Sequence, residues 1–215
     1  MEAINRQGNR GNLAYTELKN KILTVEGGTY LSARQFASEI GMSYTPVREA
    51  FLRLQSEGTL KQVPGVGYFV ATMDINDMLQ AFQVRECIEP FVLQRVFTHI
   101  KPEDIERMRE SIETQKEALA AGDIPKYMKL DITLHEVPME VYGNHHLKSA
   151  YHTIREKYMY CSNRIALTFS PNAIDEHTAM VCSIEAGDLE LSLKLLSDNI
   201  ENAKQRMMDG YINVV

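Results

Sequence analysis

The hydrophobic positions of the chain follow two different periods. Between residues 12 and 58, apolar residues recur every three or four positions, as in amphipathic helices. Two short runs then follow, TLKQV and GYFVA, and a Pro-Gly-Val-Gly segment joins them, which predicts a β-hairpin with a flexible tip. From Asp74 the helical period returns and continues to the end of the chain. The pattern predicts a mainly α protein with one small β element.

The first part of the chain contains three helical stretches. The first covers Asn12 to about Val25 and follows residues 1–11, a polar segment without periodicity that we expect to be a loose, mildly basic arm. Ser32 precedes the second stretch, and Gln35 follows it by three residues, which is the spacing of a capping box. The second helix is therefore expected to begin directly after Ser32.

The third stretch, MSYTPVREAFLRLQSEG, has Ser43 and Thr45 as alternative N-cap residues. Its inward stripe is apolar and consists of Val47, Ala50, Phe51 and Leu54. Three helices followed by a hairpin is the order of a winged helix-turn-helix, which places one helix in the major groove of DNA. We therefore predict a winged helix-turn-helix domain over residues 1–72.

The second part of the chain, residues 73–215, has a helical pattern throughout. Breakers such as Lys101-Pro102 and Ser170-Pro171 divide it into six segments. The predicted helices cover residues 74–98, 103–121, 124–141, 145–168, 172–186 and 188–209. This pattern predicts an all-α antiparallel helical bundle.

Charge is distributed unevenly between the two parts. The whole chain has a net charge of -6, but residues 1–72 carry eight Lys or Arg against six acidic residues. The remainder carries 15 basic and 23 acidic residues. This asymmetry is typical of a part that faces nucleic acid joined to an acidic part with another role.

The cysteines and the N-terminus indicate the cellular compartment. Cys87, Cys161 and Cys182 lack metal-site spacing and lie in helical patterns, so we expect three buried free thiols. The N-terminus has no apolar signal region, and no run approaches the ~18 apolar residues of a membrane span. We therefore expect a cytoplasmic protein that does not bind membranes.

Residues suited to DNA contact cluster around the start of the third helix and the hairpin tip. They are Arg34, Ser43, Tyr44, Thr45, Arg48, Gly65 and Gly67. Small and polar residues let a helix N-terminus approach phosphates, and arginines reach base edges or the flanking backbone. Glycines in the wing let the backbone approach the sugar-phosphate chain closely. The alternative is a small helical domain that contacts other proteins.

A second set of polar residues lies on apolar helical stretches of the bundle. Asp131 and His135 are four residues apart, so they share a helix face and could chelate one metal ion. His177 opens a later helix, and Asn199 lies in the last one. If these helices face one another, an Asp/His/His set converges. The alternatives are a surface or hydrogen-bonded Asp131–His135 pair and a His177 that is satisfied or exposed.

The segment LSARQFASEIGMSYTPVREAFLRLQSEGTLKQVPGVGYFV resembles the GntR family of bacterial transcription regulators. The resemblance implies operator contacts from Arg34, Ser43, Thr45, Arg48 and Gly65. Tyr44 stands where many members have an arginine. A tyrosine cannot make a bidentate guanine contact, so the operator is expected to differ at that position.

The segments LDITLHEVPMEVYGNHHL and EHTAMVCSIEAGDLELSLKLLSDNI resemble the ligand-sensing FCD domain found in part of that family. The resemblance implies a divalent transition metal, such as zinc or nickel, held by Asp131, His135 and His177. Asn199 stands where a fourth histidine ligand is expected. Its amide oxygen is a weaker donor to such metals than imidazole.

Arg85 matches an arginine that many members of the family aim into the pocket to hold an organic acid. A guanidinium in a bundle core needs a partner, and a carboxylate can bind it through two hydrogen bonds. The resemblance therefore implies a small carboxylate effector. The alternative is a salt bridge between Arg85 and Glu86 or Glu89.

The combined expectation is a ligand-responsive transcription regulator, a repressor and not an enzyme. The resemblance implies a homodimer on a short double-stranded palindromic operator, with residues 72–76 as the hinge through which an effector repositions the DNA-binding domains. One alternative is a helical metal-dependent hydrolase that uses Asp131, His135 and His177. Another is a metal-free bundle that only dimerises.

Overall fold

The computed structural model describes residues 2–161 and 170–212. These residues form two compact units. The N-terminal unit comprises the chain up to Met73 together with the end of a later helix, from Glu156 onward. The C-terminal unit begins at Asp74 and comprises the rest of the described chain.

Helices and a small sheet make up the N-terminal unit. Its elements are α1 (Glu2–Leu23), β1 (Tyr30–Leu31), α2 (Ala33–Glu39), α3 (Tyr44–Ser56), β2 (Leu60–Val63) and β3 (Gly67–Val70). The strands are antiparallel in the order β1-β3-β2. Phe51 of α3 joins helices to sheet, because its ring centroid lies 4.9 Å from that of Tyr68 and 6.1 Å from that of Phe36.

The predicted winged helix-turn-helix is confirmed, with two corrections. The expected loose arm at residues 1–11 is wrong, since α1 begins at Glu2. No proline interrupts these residues, and extending an existing helix costs less than nucleating one. The expected two-stranded hairpin is part of a three-stranded sheet, because the two residues of β1, too few to show an alternating pattern, pair with β3.

The helix starts in this unit follow the predicted capping chemistry. The Ser32 hydroxyl accepts a hydrogen bond from the Gln35 backbone N–H at the start of α2. Ser43, and not Thr45, is the N-cap of α3. The apolar stripe predicted for α3 is buried as expected, and Pro46 is buried beside it.

Six helices form the C-terminal unit within the described chain. They are α4 (Ile75–Val96), α5 (Pro102–Ala120), α6 (Ile124–Tyr142), α7 (His145–Cys161), α8 (Pro171–Glu185) and α9 (Leu189–Ile212), with a 3₁₀ turn at Phe97–His99. Helix α5 packs on α6 and α8, and α4 packs on α6 and α9. The predicted all-α bundle is confirmed. No helix in these described segments is long and apolar enough to cross a membrane.

The expectation that the cysteines are buried is wrong for Cys87 and Cys182, which are both exposed. Cys87 lies two residues from Arg85 and two from Glu89, which are both buried. At 3.6 residues per turn, a position two residues away points to the opposite side of the helix. The side chain of Cys161 lies outside the described part of the chain.

The wing contains a glycine that the fold requires. Gly67 has a φ of +142°, and a Cβ built there would lie 2.9 Å from the Leu31 carbonyl oxygen. Gly65 has a φ of +76°, but a Cβ there would meet nothing within 4 Å. Both positions disfavour a side chain through their backbone conformation, but only Gly67 adds a steric clash with backbone.

We predict that Gly67→Ala destabilises the protein by ~2 kcal/mol or more, because conformational strain and the clash with Leu31 add. The matched control Gly65→Ala has the strain alone and should cost about 1 kcal/mol. Urea unfolding of both variants measures the difference. Equal losses would show that the contact between β1 and β3 tolerates a methyl group.

Candidate functional site

The residues predicted to contact DNA lie at exposed positions of the N-terminal unit. Ser43 caps α3, Tyr44 and Thr45 begin it, and Arg48 follows one turn later. Arg34 lies on α2, and its guanidinium carbon is 5.8 Å from the centre of the Tyr44 ring. Gly65 lies at the exposed tip between β2 and β3. Their roles in binding stay a prediction.

The start of α3 suits an anionic partner. The Ser43 side chain makes no hydrogen bond to the first turn of the helix. The first backbone N–H groups of a helix lack partners within it and carry a partial positive charge, which favours phosphate. Arg34 and Arg48, both exposed, add two charges that are always positive. This end of α3 can therefore bind a nucleic-acid backbone.

A second candidate site lies inside the C-terminal unit. Asp131 and His135 of α6 and His177 of α8 each offer one ligand atom, and these atoms lie within 4.8 Å of one another. The Nε2 atom of His177 is 3.3 Å from Oδ1 of Asp131, and the two imidazole centres are 5.3 Å apart. The three residues are thus close enough to bind one ion.

Hydrogen bonds orient both imidazoles. Nδ1 of His135 lies 2.8 Å from Oε2 of Glu89, and Nδ1 of His177 lies 3.1 Å from Oε1 of Gln115. Because these oxygens only accept, each Nδ1 carries the hydrogen and each neutral ring keeps a lone pair on Nε2. A histidine whose Nδ1–H is held by an oxygen is the usual arrangement of a metal ligand.

The side chain of Asn199 supplies a buried oxygen without a partner. Asn199 is 2% exposed, and its Nδ2 donates to Oε2 of Glu176 at 2.8 Å. Arg206 fixes Glu176 in turn, at 2.8 Å. With its nitrogen committed, Asn199 retains Oδ1 as an unsatisfied acceptor. A buried acceptor without a donor is costly, and a cation or a ligand donor would relieve it.

Two buried guanidinium groups contact the same residues. Arg85 donates through Nε to Glu89 at 2.6 Å, and its Nη2 lies 3.4 Å from Nε2 of His135. Arg155 of α7 donates to Asp131. The salt bridge to Glu89 that the sequence allowed for Arg85 is therefore present. The other alternative partner, Glu86, pairs with Lys204.

These contacts set the protonation states. Burial by itself would raise the pKa of Asp131, but Arg155 and His135 hold it below its usual value. Burial would likewise raise the pKa of Glu89, which Arg85 and His135 hold well below its usual value. Burial lowers the pKa of His177 from 6.5 to about 4. At neutral pH the site therefore holds two carboxylates and a neutral His177 imidazole.

The donor set fits a divalent transition metal. Two imidazole nitrogens and one carboxylate oxygen are common ligands of such ions, and the free oxygen of Asn199 is a further donor nearby in the chain from Glu176. Arg85 and Arg155 now contact two of these donors. A metal ion would take over the donors from the guanidinium groups.

Three residues of this site were not predicted: Glu89, Gln115 and Arg155. Arg155 had a detectable signal, since it lies between Tyr151 and Met159 at spacings of four on a buried stripe of α7. Glu89 follows Arg85 by four residues and was considered only as its alternative partner. Gln115 has no signal of its own, because an amide on a helix gives no sign of which histidine it will meet.

Comparison with known proteins identifies both parts of the chain. Residues 80–202 match the FCD domain, and residues 12–70 match the family described as bacterial regulatory proteins, gntR family. The gluconate operon transcriptional repressor of Bacillus licheniformis is 23% identical over 92% of this chain and 84% of its own length. The corresponding repressor of Bacillus subtilis is also 23% identical, over 92% of this chain and 84% of its own length.

A solved structure shares the fold. The E. coli protein McbR/YncC superposes with a TM-score of 0.82 at 18% sequence identity. The match covers 96% of this chain and 99% of that chain. The arrangement of a winged helix-turn-helix and a helical bundle in one chain is thus an established fold.

We predict that His177 stays neutral in the metal-free protein down to about pH 4, because burial disfavours the imidazolium. The unfolded chain takes up this proton near pH 6.5 and the native chain does not, so this residue lowers stability as pH falls from about 6.5 to about 4. Histidine ring NMR, assigned with His177→Gln, measures the titration. A midpoint near pH 6.5 would contradict the burial of this ring.

Proposed function

The chain belongs to the GntR family of bacterial transcriptional regulators and carries an FCD domain, and we propose that it is a repressor that responds to a small carboxylate through a metal-binding site. The observation that carries the proposal is the convergence of Asp131, His135 and His177 beside two buried arginines. The family consists of regulators, and so the hydrolase alternative is not retained. As a regulator of bacterial genes, the protein acts on DNA in the cytoplasm.

The DNA-binding step belongs to the N-terminal unit. Exposed Arg48, one turn into α3, reads base edges in the major groove, and Arg34 contacts the backbone or a neighbouring guanine. Tyr44 reads a phosphate or a thymine methyl group at the position where an arginine is common in the family. A homodimer supplies one such helix to each half of a palindromic operator.

The sensing step belongs to the C-terminal unit. A divalent transition metal held by Asp131, His135, His177 and the oxygen of Asn199 would supply a positive Lewis-acid centre for a carboxylate oxygen. Glu89 and Gln115 keep the two imidazoles in the tautomer that binds a metal. This arrangement supports a metal that belongs to the resting protein, with the effector binding beside it.

The arginines supply the second half of the effector site. Arg85 and Arg155 are 5% and 6% exposed, and each is paired with an acid of the site. A guanidinium can bind a carboxylate through two parallel hydrogen bonds. When the effector carboxylate replaces a protein carboxylate as the partner, the pairing of α4 and α7 with their neighbours changes. This change alters the equilibrium between DNA-binding states by the difference in effector affinity for them.

We predict that Arg48→Ala weakens binding about tenfold or more to a DNA fragment selected by the wild-type protein from a random library, because a base contact is lost. Arg95→Ala is the matched control, since Arg95 is an exposed arginine of the C-terminal unit and should not contact the operator. Electrophoretic mobility shift at fixed salt measures both. Equal affinities for the two variants would remove Arg48 from the DNA interface.

We predict that the protein binds Zn²⁺ or Ni²⁺ at one site per chain and that His177→Ala abolishes this binding. Asn199→His should raise the affinity about tenfold, because imidazole is the stronger donor to these metals. His146→Ala, which removes an exposed histidine, is the control. Competition with a chromophoric chelator measures each affinity. Wild-type protein that binds no metal would leave the metal-free bundle as the correct interpretation.

A further inference from the structure

The interior of the C-terminal unit changes from polar to apolar along its helices. On α4, Arg85 and Glu89 are followed at the same spacing of four by Leu93. On α6, Met139 lies four residues beyond His135. Residues four apart share a helix face, so each face passes from the charged site into an apolar region within one turn.

Helices α8 and α9 show the same change. Met180 and Ile184 follow His177 by three and seven residues on α8, and all three are buried. Leu196 precedes Asn199 by three residues on α9, and both are buried. Four helices therefore place their polar residues at one level of the bundle and their apolar residues at the next.

A pocket lies at this apolar level. It has an empty volume of about 320 Å³, part of it open to solvent, and Glu89 and His135 are its polar lining residues. The rest of the lining is apolar and includes Met108, Met139 and Met180. Methionine side chains are flexible and adapt to the shape of what they contact. The pocket thus joins the charged site at Glu89 and His135 and can accept an apolar group.

We propose that the effector is an amphipathic monocarboxylate whose short hydrocarbon chain occupies this pocket, hereafter the methionine pocket. The inference deepens the proposed carboxylate response and depends on it. The carboxylate lies with Arg85 at the charged level, and the chain extends past His135 towards Met139 and Ile184. The class is a short-chain fatty acid or a similar acid with one charged end.

The position of Arg85 supports this orientation. Its guanidinium contacts both Glu89 and His135, which are the two polar residues of the methionine pocket. A carboxylate that binds this guanidinium is therefore already at the mouth of the apolar region. The remainder of the molecule meets methionine, leucine and isoleucine side chains.

A second carboxylate does not suit the methionine pocket. Its apolar walls offer no cation, and a charge buried without a partner is costly. Glu89, ionised at its border, would also repel another anion. The lining thus selects against dicarboxylates and in favour of a hydrocarbon chain.

The helix geometry limits the length of that chain. Leu93 lies four residues beyond Glu89, which is about 6 Å along the helix axis, and Ile184 lies seven residues beyond His177, about 10 Å. A chain of about four to six carbons spans this depth. Each buried methylene group should raise the affinity about fourfold until the pocket is full.

A homologous series tests the proposal. Isothermal titration of the full chain supplied with Zn²⁺ would use acetate, butanoate, hexanoate and hexanedioate as probes. The expected result is an affinity that rises about fourfold per methylene from acetate to hexanoate, with hexanedioate weaker than hexanoate. Affinity independent of chain length, or hexanedioate as the tightest ligand, would overturn the inference and leave the carboxylate response in place. No binding by any probe would overturn both.

Methionine methyl NMR reports the position of the chain without a substitution in the pocket. Hexanoate should shift the methyl signals of Met108, Met139 and Met180, whereas acetate should leave them in place. Met1→Leu and similar single substitutions assign the signals. Equal shifts with acetate and hexanoate would place the hydrocarbon chain elsewhere and overturn the proposal.

A substitution that fills the methionine pocket gives a third test. Met180→Phe should lower hexanoate affinity about tenfold or more and leave acetate affinity unchanged, which reverses the order of the series. Leu191→Phe, at an exposed position of α9, is the matched control. If Met180→Phe does not fold, Leu196→Phe replaces it. A variant that lowers acetate and hexanoate affinity equally would show no role for the pocket in chain recognition.

Discussion

Pairing of buried charge governs the C-terminal unit. Arg85 and Arg155 are nearly inaccessible to solvent, and a buried ion without a partner costs several kcal/mol. Glu89 and Asp131 supply the partners, and the Tyr151 hydroxyl donates a further bond of 2.7 Å to Glu89. Because the charges must be satisfied within the fold, four helices hold their polar side chains in fixed positions before any ligand enters.

This requirement also determines how a ligand can act. A cation or a carboxylate that enters the site does not simply add a contact, because Asp131, Glu89 and both guanidinium groups already have partners. It must exchange one partner for another, and the net change in free energy is the small difference between large terms. A site of this kind binds only ligands that satisfy every group they release. Exchange at α4, α6 and α7 gives the FCD domain a structural response to occupancy.

The sequence was sufficient for the parts of the structure that follow from helical periodicity. The spacing of Asp131 and His135 predicted a shared face, and the apolar stripe around Phe51 predicted the core of the N-terminal unit. Contacts between distant segments were not predictable in the same way. Nothing local indicates that Gln115 meets His177, 62 residues away, or that Arg155 meets Asp131. The resemblance to known regulators supplied the ligand residues, but the partners that orient them came from tertiary packing. The exposed cysteines show the same limit, since an apolar neighbourhood in sequence does not fix which side of a helix faces the core.

The most direct test of this account is anomalous X-ray diffraction from crystals of the protein grown with Zn²⁺ or Ni²⁺. The account predicts one strong peak per chain among Asp131, His135 and His177, with the Nε2 atom of each imidazole towards the ion. It further predicts that Arg155 no longer binds the oxygen of Asp131 that ligates the metal. The absence of a peak at this position, with Arg155 still paired to Asp131, would contradict the proposed metal-dependent sensing.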